Sequence, residues 1–280
     1  MKLCTFKTMV GPHLAVKTDQ GIADLNIAGY RGNMDDLIYG GAAEMQHAKQ
    51  ALAHAPVIIS ELEMDRLLYP QKILCVGLNY RSHAAETEKE APKQPILFSK
   101  FTNALSASGM PVQLPPVLKQ YDYEAELVIV IGKPCYQVSE EEALDYVFGY
   151  TCGNDLSARD GQFISGQWLI GKTLPGFAPA GPFIVTPDEF NPNEPHRITC
   201  RRNGQIVQDS NTSHMIFNCA QIISYASQFM RLVPGDLIFT GTPEGVILGK
   251  PEAERNWLVP GDTLEVTIEG IGTLTNQMVE

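Results

Sequence analysis

The sequence contains no apolar run of about 18 residues, the length a helix needs to cross a bilayer, so no transmembrane helix is expected. Positive charge is scarce. Against 32 Asp and Glu the chain carries 21 Lys and Arg, a formal net charge of -11 with a pI near 5.0. Nucleic acids and anionic membranes attract basic patches, and this balance opposes both as non-specific partners. An anionic substrate is still admissible where a metal supplies the local positive charge. Cysteine is sparse too: Cys4, Cys75, Cys135, Cys152, Cys200 and Cys219 form no C-x-x-C pair and have no His at zinc-binding spacing. They read as reduced, mostly buried thiols of a cytoplasmic protein. Met1-Lys2-Leu3-Cys4-Thr5-Phe6 opens on strand-like sequence and lacks the apolar core of a signal peptide. Internal repeats, low-complexity tracts and long flexible linkers are also missing.

What is there is an ordinary globular composition, 44% hydrophobic and 19% charged over 280 residues, long enough to bury a sizeable core. Residues 1–68 read as a small N-terminal α/β module. Alternation at 3–6 and 13–16 suggests short strands with Gly11-Pro12 as their turn. The Ala-rich stretch 42–55, stopped by Pro56, suggests a helix. A second region, 72–280, opens on the apolar Ile73-Leu74-Cys75-Val76 ended by Gly77. Strand-like runs follow at 95–98, 126–131, 183–186, 198–202, 236–240 and 263–269. Past residue 100, two segments have helical character. One is 140–146, with Ser139 as N-cap and Glu142 as its capping-box partner. The other is 219–229, with Ile222, Ile223, Ala226 and Phe229 at helical spacing. Many strands, few helices and no βαβ alternation predict an α+β architecture, mainly β, rather than a doubly wound fold.

Chemistry-bearing residues cluster in short motifs. In Asp122-Tyr123-Glu124-Ala125-Glu126-Leu127, two carboxylates two positions apart precede an apolar run, and on a strand they share one face. Like charges so close raise each other's proton affinity unless a cation sits between them. Alone, such a pair at a strand edge also suits a solvated face. A third carboxylate, Asp155, ends the strand-like run 146–152. Three carboxylates without His or Cys suit a hard cation, Mg²⁺ or Mn²⁺, with Ca²⁺ also admissible.

Upstream, His83 and Glu86 are neighbours on one face if their segment is helical. A carboxylate beside an imidazole orients it and suits it as a general base for water, although an incidental pair on an exposed helix is the plainer alternative. The charged, Pro-containing 87–94 suits a mobile lid. In Gln167-Trp168-Leu169-Ile170-Gly171-Lys172, a lysine follows glycine in an apolar stretch, and 235–246 runs from a strand into a Gly/Pro turn able to face an anion.

Together these segments resemble the fumarylacetoacetate hydrolase family from about residue 72 onward. The resemblance rests on five motifs in the family's order: Val76-Gly77-Leu78-Asn79-Tyr80-x-x-His83-x-x-Glu86, Asp122-Tyr123-Glu124-x-Glu126-Leu127, Asn154-Asp155-x-Ser157-x-Arg159-Asp160, Gly171-Lys172 and Phe239-Thr240-Gly241-Thr242-Pro243-x-Gly245-Val246. It implies a mixed β-roll with flanking helices, usually a homodimer. It also implies Glu124, Glu126 and Asp155 as ligands of Mg²⁺ or Mn²⁺, His83 and Glu86 as a catalytic dyad on a closing loop, and Lys172 as an active-site lysine. Lys100, Gln162 and Thr242 fall in the family's substrate pocket.

The activity implied is metal-dependent cleavage of a C–C bond in a small 1,3-dicarbonyl (2-oxo) acid, of the acylpyruvate hydrolase type. His83 then activates water and the metal stabilises the departing enolate. An oxaloacetate decarboxylase or other lyase of the same family is the alternative reading. A low-turnover member that binds a metabolite or a protein is a third.

Overall fold

The computed structural model describes residues 1–86 and 90–280. The strand Ala125–Ile131 is buried at every position, which requires cover on both faces of its sheet. Leu127, Ile129 and Ile131 join one core, with Leu264, Val266 and Ile268 of a second sheet and with Ile222, Ile223 and Ala226 of the helix Cys219–Phe229. Val128 and Val130 point the other way, into a core with Leu3, Leu37, Ile38 and Phe239. Period-two alternation thus makes one strand the partition between two cores. Each such aliphatic side chain contributes roughly 1.5–3 kcal/mol by burial.

Among the described residues, eleven strands form the larger sheet. Its path runs Val57–Ile58, Gly21–Asp24, Gly11–Thr18, Lys2–Thr8, Ala178–Val185, Val147–Asn154, Ala125–Ile131, Leu237–Phe239, Ile73–Gly77 and Ile96–Lys100, and Leu105–Ser106 pairs with Ala178–Val185 off this path. The N-terminal strands therefore continue the same sheet, through Lys2↔Val185 and Leu3↔Ile184. The second sheet orders Gln205–Asn211, Arg197–Arg202, Thr263–Ile268, Gly272–Val279 and Val112–Gln113. The fold is α+β and mainly β, as expected. Among the described residues, no helix is long and apolar enough to cross a membrane.

Local differences from expectation have identifiable causes. The first hairpin turns at Met9-Val10, and Gly11 and Pro12 already lie in the ladder opposite Thr8 and Lys7. The first helix runs Met34–Leu52 rather than 42–55. An Asn33/Asp36 capping box starts it earlier, and Gly41 at φ 58 breaks its geometry just before the Ala-rich arm. Segment 140–146 forms only the 3₁₀ turn Ala143–Tyr146, because Val147 already adopts the extended backbone of the next strand. The helix Cys219–Phe229 has the expected bounds and an Asn218/Gln221 capping box. Strands Gln205–Asn211 and Gly272–Val279 escaped notice because their Gln, Asn and Thr content masks the alternation.

Candidate active site

The antiparallel ladder between Ala125–Ile131 and Val147–Asn154 sets Ala125 opposite Asn154, and the Asp155 N–H donates to the Glu124 carbonyl at 2.9 Å. This register brings Glu124, Glu126 and Asp155 together, with one oxygen of each within 4.8 Å of the others. All three are buried. Lys172, at the end of the short helix Leu169–Lys172, places its Nζ 2.7 Å from both Glu124 Oε2 and Asp155 Oδ2. Arg159 Nη2 lies 2.7 Å from Glu124 Oε1. Glu126 accepts from the Gly241 N–H at 2.6 Å instead. That approach needs glycine: Gly241 has φ 98, and a Cβ there would meet Asn79 Cβ at 2.6 Å.

Charges divide accordingly. Burial alone would raise the Glu124 pKa, but Lys172 and Arg159 outweigh it and hold the carboxyl well below the usual range. Glu126 goes the opposite way, pushed well up by burial and then by the fields of Asp155 and Glu124. Lys172 keeps its proton, since Asp155 and Glu124 overcome its desolvation. A buried set of hard oxygen donors with one carboxylate facing two others is the arrangement a divalent cation neutralises. Asp155 Oδ1 is paired with the buried Lys100 Nζ at 2.5 Å, which fixes the carboxylate beside Glu124 and Glu126.

Glu124, Glu126, Arg159 and Lys172 open on a cavity of about 660 Å³, and Asp155 is not among its described lining residues. His83, Glu86, Glu124, Glu126, Gln162, Lys172 and Thr242 all line it. His83 and Glu86 lie on the helix Arg81–Glu86, as their spacing suggested, with His83 Nδ1 3.4 Å from Glu86 Oε2. Gln162 Oε1 accepts from Arg159 Nη1 at 2.9 Å, and Thr242 Oγ1 accepts from Gln208 Nε2 at 2.9 Å. Lys100, which the resemblance put in the substrate pocket, is not among the described lining residues. Its ammonium is buried behind Asp155 and donates to the carbonyls of Leu156 (2.9 Å) and Phe177 (2.5 Å). Part of the expected lid, residues 87–89, lies outside the described residues.

Sequence reasoning gave no role to Arg159 or Asp122, though both stand in the quoted motifs. Arg159 Nε and Nη2 meet Asp122 Oδ2 at 2.9 and 2.8 Å. Asp122 also accepts from the N–H groups of Ile247 and Leu248, at 2.8 and 2.9 Å. One buried carboxylate thus ties the arginine that holds Glu124 to the segment 247–248, of which Leu248 lines the cavity. Phe98, Trp168, Lys250 and Arg255 also line the cavity. No spacing signal marks them, because they come from three separate parts of the chain.

A mainly β scaffold that gathers carboxylates, ammonium, guanidinium and imidazole around one cavity is that of an enzyme for small molecules. The chain belongs to the fumarylacetoacetate hydrolase family: a family model described as fumarylacetoacetate (FAA) hydrolase C-terminal matches residues 72–279. It is 47% identical over 232 residues to the fumarylacetoacetate hydrolase domain-containing protein 2 homolog of Dictyostelium discoideum, covering 79% of this chain and 75% of that protein. It is 37% identical over 293 residues to the Homo sapiens protein named oxaloacetate tautomerase FAHD2A, mitochondrial, covering 100% of this chain and 92% of that one. Among solved structures, a fumarylacetoacetate hydrolase from Exiguobacterium antarcticum matches with a TM-score of 0.90 at 32% identity, covering 100% of this chain and 99% of that one. A 5-carboxymethyl-2-hydroxymuconate delta-isomerase from Mycobacterium smegmatis matches at 0.80 and 31%, and a maleylpyruvate hydrolase from Sphingobium sp. SYK-6 at 0.83 and 30%. Each of these two covers 100% of this chain and 99% of the other. The chain is thus a family enzyme related to hydrolases, isomerases and oxaloacetate tautomerases.

Proposed function

We propose that this protein is a divalent-metal-dependent enzyme that makes and resolves the enolate of a small 2-oxo acid bearing a second carbonyl group. The observation that carries the reading is the convergence of buried Glu124, Glu126 and Asp155 into one cluster of oxygens, of which Glu124 and Glu126 line a cavity whose wall also bears the His83–Glu86 pair. The three carboxylates would hold Mg²⁺ or Mn²⁺, which would supply electrophilic stabilisation of negative charge on the 2-oxo group. Glu86, 3.4 Å from His83 Nδ1, orients the ring, and His83 is placed on the cavity wall to move a proton at the reacting carbon. Lys172 stays cationic, steadies Glu124 and Asp155 and adds to the positive field over a bound anion. Lys100, from behind, fixes Asp155.

For the reaction, we place keto–enol exchange in an oxaloacetate-type acid first, because the relative aligned over 100% of this chain is named an oxaloacetate tautomerase. Cleavage of the C–C bond of an acylpyruvate by His83-activated water, or loss of CO₂ from oxaloacetate, is the second reading. The maleylpyruvate hydrolase likeness favours it. All these reactions develop negative charge on the 2-oxo group: tautomerisation as the enolate of the substrate itself, cleavage and loss of CO₂ as the enolate of pyruvate. The metal-loaded protein is to be given oxaloacetate and 2,4-dioxopentanoate while proton NMR follows C3 exchange, enol content and pyruvate. Faster exchange without pyruvate supports tautomerisation, and pyruvate release supports cleavage. Neither, in a verified metal-loaded preparation, sinks the proposal.

A further inference from the structure

Among the described residues, the Lys and Arg side chains lining the cavity are Arg159, Lys172, Lys250 and Arg255. Arg159 and Lys172 are committed to Asp122, Glu124 and Asp155. Lys250 and Arg255 have no acidic partner within ion-pair distance among the described residues, although Glu252 and Glu254 stand exposed on the intervening 3₁₀ turn. Both are partly buried. Arg255 Nε donates to the Lys250 carbonyl at 2.9 Å, which holds the two residues together at the ends of one short loop. The loop 250–255 is formally neutral, but its two cations line the cavity while its two glutamates stand exposed outside the described lining.

Their loop is also held in register with the carboxylate cluster. Asp122 receives the N–H groups of Ile247 and Leu248 and the guanidinium of Arg159, which in turn contacts Glu124. A ligand whose 2-oxo acid end meets the carboxylate cluster therefore meets Lys250 and Arg255 from a fixed frame.

We infer that Lys250 and Arg255 recognise the second carboxylate of a dicarboxylic 2-oxo acid and set the preference of this site for diacids over acyl analogues. The inference rests on the reading of the site given above. Guanidinium pairs a carboxylate through two parallel N–H donors, and an ammonium adds a point charge.

The test uses the full-length protein loaded with Mg²⁺, as wild type and as Lys250→Ala, Arg255→Gln, Arg255→Lys and the Lys250→Ala/Arg255→Gln double variant. Calorimetry compares 2-oxoglutarate with 2-oxopentanoate, which lacks the distal acid. Turnover compares oxaloacetate with 2,4-dioxopentanoate. The expected result is a wild-type preference for the diacid that falls roughly tenfold in each Ala or Gln variant and further in the double variant, with Arg255→Lys between. A wild type that binds both ligands equally, or variants that weaken both by the same factor, overturns the inference. Failure of turnover on either substrate would count against the proposed reaction alone, because the ligand preference is read by binding.

Discussion

Glu126 and His83 are the residues whose roles separate most cleanly. Glu126 meets two other carboxylates and receives a backbone N–H, so its charge is stable only beside a cation. Glu126→Gln should weaken Mn²⁺ binding by more than the roughly 10–100-fold typical of losing an outer partner of a ligand, and should remove turnover with it. Titration calorimetry reads the first and the proton-exchange assay the second. Undiminished metal affinity would mean that the cation sits elsewhere. His83 touches no proposed ligand role, so His83→Ala should keep the metal yet lose roughly two to four orders of magnitude in kcat. Pyruvate release and C3 exchange should be measured side by side at saturating metal. Retention of both near the wild-type rate would assign the proton transfer to another group.

At the scale of elements, the helix Arg81–Glu86 is seated by close approach. A Cβ on Gly249 would lie 2.2 Å from Glu86 Cδ, so Gly249→Ala must displace the carboxylate that orients His83. Turnover should fall about tenfold or more while far-UV circular dichroism and metal affinity stay as in wild type. An unchanged rate would show that Glu86 does not need its present place. The helix Cys219–Phe229 offers a purely structural control: Asn218→Ala removes its cap and should cost about 0.5–2 kcal/mol in urea unfolding without altering the ratio of ligand affinities.

These elements also mark how far the sequence could be read. Period-two alternation and a helix-spaced apolar stripe made the strand Ala125–Ile131 and the helix Cys219–Phe229 legible, because their patterns reflect burial directly. The shared face of Glu124 and Glu126, the arrival of Asp155 at a strand end and the His83–Glu86 spacing were legible for the same local reason. Lys100 was not, since its position behind Asp155 depends on pairing between Ile73–Gly77 and Ile96–Lys100. Nor were Lys250 and Arg255, whose loop is placed by Asp122, 125 residues upstream of Ile247 in the chain.

For the whole molecule, the carboxylate cluster lies where Ala125–Ile131 and Val147–Asn154 end, so a cation bound there joins central strands of the larger sheet to each other. Binding to the folded state alone adds roughly 2.7 kcal/mol at a hundred times Kd, which for a protein of this size corresponds to about 5–10 °C in Tm. Calorimetric scans with Mg²⁺ and with a chelator should differ by that order, and identical scans would place the metal outside the folded core. Gly249, which also lines the cavity, joins this picture. Its backbone abuts the residue that orients the base, and it sits one position from Lys250. An inherited change in that loop that alters which acid is admitted will thus also disturb the base. Descendants that switch diet should therefore carry compensating changes in 81–86 and 247–255 as a block, and grafting one segment without the other should yield a protein that binds the new acid but turns it over poorly.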